Sequence, residues 1–277
     1  MPLLSLGPDD GLFHLHHPPE RTGAPTFVFV NALTGNTGSW EGAVAPAVRA
    51  QGFGTLSYNF RGQDDSPFAP DTALTPTLIV EDLQRLLAEI APARPILCGL
   101  SIGGLFAAQA VLAGARAEGL VLLNTLREIG PRIAWVNDAM PKLVAAGGVG
   151  LFLDALFPLL VNQEQAAKAR PGFITDEPYR PLDPEHGHMN LMRHAAATDW
   201  DIDYAALTLP TFVITGLEDR VFLERDVVER LYMRLPDARR EDWQDTGHLI
   251  PAERPERLAA SLVRFGDEIE GARGGGA

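Results

Sequence analysis

The sequence contains almost no cysteine, and its charge is mostly of one sign. Cys98 is the single cysteine among 277 residues. This excludes an internal disulfide framework and a cysteine zinc site, and we expect Cys98 to be a small buried apolar side chain. The formal net charge of −13 argues against a nucleic-acid or anionic-membrane partner, because both attract basic surfaces.

Targeting signals are also missing from the sequence. The N-terminal residues lack the positive charge and the apolar length of a signal peptide, and no apolar run has the length expected of a membrane span. Apolar residues make up 46% of the chain and charged residues 21%, as in globular proteins. We therefore expect a soluble cytoplasmic protein that is a monomer or homodimer, with a small-molecule substrate and no nucleic-acid or membrane partner.

The histidines outside the C-terminal part of the chain do not predict a metal site. His14, His16 and His17 lie on a predicted edge strand, and His186 and His188 lie in a predicted loop. Neither group has a spacing typical of zinc ligands. We expect these side chains to be surface or substrate-facing groups, and we expect neither a metal nor a cofactor.

Short apolar runs alternate with helical patterns along most of the chain. The runs that predict buried strands are residues 26–30, 54–60, 96–100, 119–123 and 210–215. Segments such as residues 77–90 carry apolar residues at helical spacing. Short alternating strands and helices predict an α/β fold, a mostly parallel sheet with helices on both faces. Ligands of such sheets bind at the carboxyl ends of the strands.

The alternation stops between residues 125 and 203, where the patterns predict helices and no strand. Gly147, Gly148 and Pro158 punctuate these helices. We predict a core of residues 1–124 and 204–270. Residues 125–203 are expected to be a helical cap inserted after the strand at residues 119–123, which is the sixth strand of the sheet. The glycine-rich residues 271–277 are expected to be a disordered tail.

Ser101 is the best candidate nucleophile. It lies at the tip of Gly99-Leu100-Ser101-Ile102-Gly103, between a predicted strand and a predicted helix. A strained turn of this kind lifts the hydroxyl clear of the sheet, and flanking glycines make room for it. The alternative is that Ser101 only caps a glycine-rich helix.

His248 and Asp219 supply the partners that a serine nucleophile requires. A serine hydroxyl needs a nearby base, and a histidine base needs a carboxylate to fix its tautomer. His248 follows a further predicted strand near residues 239–243, and Asp219 follows the strand at residues 210–215. The chain order Ser, Asp, His is the one expected on this kind of sheet. The three residues together favour a catalytic triad.

These motifs resemble those of the α/β-hydrolase family, and the resemblance extends from residue 26 to residue 269. The matching segments are residues 99–104 as the nucleophile elbow, residues 216–221 as the acid loop and Gly247-His248 as the histidine loop. The resemblance implies a helical cap and an oxyanion hole made by the backbone N–H groups of Ile102 and Leu33. Where relatives carry His-Gly before Leu33, this chain has Asn31-Ala32, and we expect the Asn31 amide to replace the lost hydrogen bonds.

The resemblance also implies a serine hydrolase that cleaves a carboxylic ester, lactone or thioester through an acyl-enzyme on Ser101. A serine nucleophile argues against the haloalkane dehalogenase and epoxide hydrolase branches, which need a carboxylate there. The alternatives are a carbon–carbon bond hydrolase, a cofactor-independent dioxygenase-like enzyme, and a small-molecule receptor with an intact triad. Aromatic side chains are expected to line the substrate pocket: Trp40, Trp135, Trp200, Phe152 and Phe157.

Overall fold

The computed structural model describes residues 2–274, which form one eight-stranded sheet flanked by helices. The strands are β1 (Leu3–Ser5), β2 (Gly11–His17), β3 (Thr26–Val30), β4 (Gly54–Tyr58), β5 (Pro95–Leu100), β6 (Gly119–Leu123), β7 (Thr211–Gly216) and β8 (Ala238–Trp243). Their order across the sheet is β1-β2-β4-β3-β5-β6-β7-β8. Strands β1 and β2 pair antiparallel, and β4, β3, β5, β6, β7 and β8 run parallel. The predicted α/β fold with a mostly parallel sheet is confirmed.

The helices connect these strands and cover the sheet. They are α1 (Gly38–Glu41), α2 (Val44–Arg49), α3 (Pro76–Ile90), α4 (Ile102–Leu112), α5 (Pro131–Leu160), α6 (Gln163–Ala169), α7 (Gly187–His194), α8 (Arg225–Tyr232), α9 (Ile250–Glu253) and α10 (Pro255–Gly274). Helices α1 and α2 are short and follow one another between β3 and β4.

The central strands are buried on both faces, which explains why they are continuous apolar runs rather than alternating ones. In β3, Val28 and Val30 belong to one apolar cluster, whereas Phe27 and Phe29 belong to the other. The two clusters lie on opposite faces because successive side chains of a strand point in opposite directions. The sheet therefore forms a rigid base for the loops at its carboxyl edge.

Helix α5 departs from helical geometry at its middle. Gly147 has φ −147° and ψ 17°, and Gly148 has φ 71° and ψ −170°. A Cβ at Gly148 would lie 2.3 Å from the carbonyl oxygen of Arg180, so only glycine fits there. The glycine pair therefore divides α5 into two helical segments.

Helix α5 also overturns one expectation from the sequence. Its 30 residues are long and apolar enough to cross a membrane by length and composition, although no such segment was expected. Each of the two segments on either side of Gly147-Gly148 is shorter than the ~20 residues that a membrane span requires. Val144 and Phe152, one from each segment, pack in the same apolar cluster.

The expected disordered tail is also corrected in part. Helix α10 continues to Gly274, so residues 271–274 are helical rather than disordered. The final three positions of that prediction, residues 275–277, lie outside the described residues.

Candidate active site

Ser101 lies between the end of β5 and the first turn of α4, in a strained backbone conformation. Its φ is 57° and its ψ is −123°, a region that non-glycine residues rarely adopt. The Ser101 N–H donates to the carbonyl oxygen of Leu123 at 2.7 Å, which ties the turn to the end of β6. Ile102 begins α4, so its N–H has no acceptor within the helix and is available to a ligand.

The glycines around Ser101 are required by close backbone approaches. A Cβ at Gly99 would lie 2.3 Å from the backbone nitrogen of Gly104. A Cβ at Gly103 would lie 2.3 Å from the carbonyl oxygen of Asn31. No real Cβ contact is that short, so the turn can hold Ser101 in this position only with glycine at both sites.

His248 and Asp219 form a buried pair. His248 Nδ1 lies 2.7 Å from Asp219 Oδ2, and Asp219 Oδ1 accepts hydrogen bonds from the N–H groups of Val221 and Phe222, both at 2.9 Å. Burial alone would raise the pKa of the Asp219 carboxyl, but His248 and the Phe222 N–H outweigh it and hold this pKa below its ordinary value. The ionised Asp219 thus accepts from Nδ1, which leaves Nε2 of a neutral His248 as a proton acceptor.

Asn124 joins the acid loop to the histidine loop. It follows β6 with a φ of 48°, and its Nδ2 donates to the carbonyl oxygens of Gly247 at 2.9 Å and His248 at 3.0 Å. Its Oδ1 accepts from the Gly216 N–H at 2.8 Å. One amide side chain therefore fixes the distance between the loops that carry Asp219 and His248.

Glu253 holds the histidine loop from its other side. This buried carboxylate accepts from the N–H groups of Asn162 and Gly247, both at 2.8 Å, and from that of Leu249 at 3.0 Å. Burial raises its pKa, although these three hydrogen bonds and His248 oppose the shift. Sequence reasoning missed this residue, because nothing in the sequence of a four-residue helix indicates which backbone groups the glutamate at its end will reach.

The loop after β3 is fixed by Asn31. Its Nδ2 donates to the carbonyl oxygen of Tyr58 at 2.8 Å and to Gln63 Oε1 at 3.1 Å, and its Oδ1 accepts from Trp40 Nε1 at 2.8 Å. The Asn31 amide thus supplies hydrogen bonds to this loop at the position where α/β-hydrolase relatives carry histidine.

Gln63 continues this network to the expected oxyanion donor. Its Nε2 donates to the carbonyl oxygens of Ala32 at 2.8 Å and Leu33 at 3.1 Å. Because both carbonyl oxygens are held by one amide group, the peptide that carries the Leu33 N–H has a fixed orientation. Gln63 was not identified as a site residue from the sequence.

A cavity of about 270 Å³ opens above Ser101. Its lining includes residues from the sheet edge, Leu33, Ser101, Ile102 and His248, and residues from α5 and α7, Met140, Phe152 and Met192. The predicted cap and the sheet therefore enclose the candidate nucleophile between them.

Of the five aromatic residues expected in the pocket, the structure places three there. Trp40, Phe152 and Trp200 line the cavity. Trp135 does not, because it is 78% exposed on the outer face of α5. Phe157 does not either, because its ring stacks on Phe173 at a centroid distance of 4.7 Å, away from the cavity. The expectations for Trp135 and Phe157 are wrong.

Arg127 is the main site residue that sequence reasoning missed. Its Nη2 donates to Ser101 Oγ at 2.7 Å and to the carbonyl oxygen of Asn124 at 2.9 Å. Its guanidinium carbon lies 4.5 Å from the ring centres of both Trp200 and Phe222. Burial lowers the pKa of Arg127 to about 10, with Asp219 opposing the shift, so the side chain is charged at neutral pH.

Within residues 2–274, the Ser101 hydroxyl is hydrogen-bonded to Arg127 and not to His248. A hydroxyl can accept from Arg127 and still donate its own proton elsewhere. In unliganded enzymes, hydrogen bonds between catalytic groups are often long and shorten only when substrate binds. The same part of the chain contains no group of three or more His, Cys, Asp or Glu side chains that could hold a metal ion.

Comparison with known proteins agrees with the fold described above. Residues 25–255 match the family model described as the alpha/beta hydrolase fold. The chain is 26% identical over 246 residues to "Putative carbamate hydrolase RutD" of Cronobacter turicensis, covering 87% of this chain and 90% of that one. It is 25% identical to 3-oxoadipate enol-lactonase 1 of Acinetobacter baylyi, covering 89% and 90%. An esterase structure from Exiguobacterium antarcticum superposes with a TM-score of 0.79 at 15% identity, covering 96% and 98%.

The fold, the strand order and the family match together define the class. The chain belongs to the α/β-hydrolase family. It is an enzyme of the hydrolase type.

Proposed function

We propose that this enzyme hydrolyses a small carboxylic ester, lactone or thioester through an acyl-enzyme on Ser101. The observation that carries the proposal is the convergence of three groups on one cavity. These groups are a serine at a strained positive φ, a histidine held by a buried aspartate, and a helix N-terminus beside the serine. This combination is what nucleophilic attack on a carbonyl requires.

In the proposed reaction, His248 Nε2 removes the Ser101 proton while Oγ bonds to the carbonyl carbon of the substrate. The N–H groups of Ile102 and Leu33 donate to the oxygen that becomes negative, a contribution of roughly 3 kcal/mol per donor. The protonated His248, stabilised by Asp219, then gives its proton to the leaving group. Water attacks the acyl-enzyme by the same steps in reverse and releases the acid.

The named relatives support attack on a carbonyl and differ in its substituent. One carries the name of a carbamate hydrolase and another that of an enol-lactonase. A carbamate and a lactone both present an sp² carbonyl carbon with an electronegative leaving group. Attack by Ser101 on the carbonyl carbon would therefore cleave either type of substrate by the same mechanism.

The test is labelling with a fluorophosphonate followed by peptide mapping, together with turnover of a panel of esters, lactones and thioesters. We expect the label on Ser101 and not on Ser39, a second serine of the cavity lining. Ser101→Ala should lose label and turnover, whereas Ser5→Ala, which changes an exposed serine of β1, should retain both.

Two results would contradict the proposal. Equal turnover by the wild type and Ser101→Ala would show that the serine is not the nucleophile. Absence of label and turnover, combined with a rise in Tm on adding a small molecule, would instead favour the receptor alternative.

A further inference from the structure

Arg127 places a buried positive charge beside the nucleophile. The residue is 4% exposed, and it lines the same cavity as Ser101. Transferring an ion from water into a protein interior is costly, so buried charges are normally paired with an opposite charge. The mechanism proposed above does not use this charge.

No carboxylate within residues 2–274 makes a hydrogen bond to Arg127. Asp219 acts on it through space, but the Asp219 oxygens accept from His248, Val221 and Phe222. Arg127 Nε is buried and has no hydrogen-bond partner in this part of the chain. The guanidinium therefore has no directly hydrogen-bonded carboxylate, although buried positive charges normally have one.

Two aromatic rings lie against the guanidinium of Arg127. The ring centres of Trp200 and Phe222 are each 4.5 Å from the guanidinium carbon. The N–H groups of a guanidinium lie in its plane, so an anion from the cavity binds along an edge of the group. A planar carboxylate suits such an edge, since its two oxygens align with parallel N–H groups.

We propose that Arg127 binds a carboxylate of the substrate, so that the enzyme acts on anionic esters or lactones. This inference rests on the proposed function, because it names the substrate class for the same serine.

The geometry also limits the distance between the carboxylate of the substrate and its scissile carbonyl. Arg127 Nη2 lies 2.7 Å from Ser101 Oγ, the atom that bonds to the scissile carbon. A charge-assisted N–H to carboxylate bond is about 2.8 Å long. The carboxylate must therefore be only a few bonds from the scissile carbonyl, as in a succinate half-ester. It can belong to the acyl part or to the leaving group.

Matched pairs of substrates separate these two positions. Monomethyl succinate and methyl levulinate have acyl parts of the same shape and heavy-atom count, but the first carries a carboxylate where the second carries a methyl ketone. Acetoxyacetate and acetoxyacetone place the same difference on the leaving group. For at least one pair, we expect kcat/KM of the wild type to be about 10-fold or more higher for the anionic member. Monomethyl suberate, with a longer spacing, should lose most of this advantage.

Variants of Arg127 connect the preference to the guanidinium. Arg127→Met should reduce the ratio of anionic to neutral kcat/KM to about one, and Arg127→Lys should retain part of it as a single hydrogen bond. The ratio is informative because any loss of Ser101 reactivity lowers both members of a pair equally. Arg193→Met is the matched control, since Arg193 is an exposed cap arginine outside the cavity lining, and it should keep the wild-type ratio.

Binding without turnover provides a second measurement. In Ser101→Ala protein, calorimetry should show binding of the anionic member of the preferred pair, and adding Arg127→Met should weaken it about 10-fold or more. Correct folding of each variant is checked by its Tm.

The inference is wrong if the wild type shows no anionic preference in either pair, whether or not the Arg127 variants fold. It is also wrong if the preference persists in Arg127→Met. If the wild type still hydrolyses esters and Ser101 is still labelled, either result leaves the proposed function intact. Loss of turnover and label at Ser101 would overturn the proposed function itself.

Discussion

The two walls of the cavity are built by different physical means. At the sheet edge, buried and half-buried polar side chains fix the loops: Asn31, Gln63, Asn124 and Glu253 make the hydrogen bonds described above. The opposite wall, from α5 and α7, is held mainly by a small apolar cluster that includes Val144, Phe152, Met189 and Met192. Hydrogen bonds impose distances and angles, whereas apolar packing tolerates repacking.

This difference separates two tasks. The proposed attack on a carbonyl requires Ser101, His248 and the backbone donors to be positioned within fractions of an ångström. Substrate shape can instead be accommodated by side chains such as Met140 and Met192, which are flexible enough to fill irregular space. We therefore expect mutations at the sheet edge to lower kcat and mutations in the cap to change KM and substrate preference.

The largest expected effect comes from Asp219→Asn. An amide at this position cannot stabilise protonated His248 and favours the wrong imidazole tautomer, so kcat should fall by about 10⁴-fold. Far-UV circular dichroism should remain unchanged, which separates this effect from unfolding. Glu218→Gln, which changes the half-buried neighbour of Asp219, is the control. A loss of less than about 10-fold would contradict the proposed role of Asp219.

The second expected effect tests whether hydrogen bonds fix the loops. Asn124→Ala removes the three hydrogen bonds by which this side chain joins the acid loop to the histidine loop. It also leaves alanine at a φ of 48°. We expect the free energy of unfolding to fall by about 2–4 kcal/mol, measured by urea denaturation, with a decrease in kcat. Unchanged kcat in a folded variant would show that Asn124 does not position the triad.

The smallest expected effect on catalysis lies in the cap. Phe152→Ala enlarges the cavity and should raise KM or shift preference toward bulkier substrates, with a loss of about 2–4 kcal/mol in stability. Trp135→Ala is the matched control on the same helix, because its side chain is exposed, and it should change stability by less than about 0.5 kcal/mol. Equal kinetic effects of the two substitutions would contradict the cavity assignment.

The sequence was most informative where function requires a short local motif. The elbow around Ser101 and the positions of Asp219 and His248 after successive strands follow from local pattern and strand order. The break at Gly147-Gly148 was also readable, since glycine interrupts helices. These features depend on few neighbours, so they could be predicted.

The remaining features depend on contacts between distant segments. Arg127 is an ordinary arginine in the sequence, and its role follows from Trp200 and Phe222, which lie 73 and 95 positions away. Trp135 and Phe152 look alike as aromatic residues of an apolar helix, and only the rotation of each segment decides which faces the cavity. Helical periodicity across a kink does not determine that rotation.

Phe222 links the parts of the site in a way that limits how this enzyme can change. Its N–H donates to Asp219, and its ring lies 4.8 Å from that of His248 and 4.5 Å from the guanidinium carbon of Arg127. A substitution that moves Phe222 to admit a new substrate would also disturb Asp219 and His248. Divergence toward new substrates should therefore accumulate in α5 and α7, while the acid loop changes slowly.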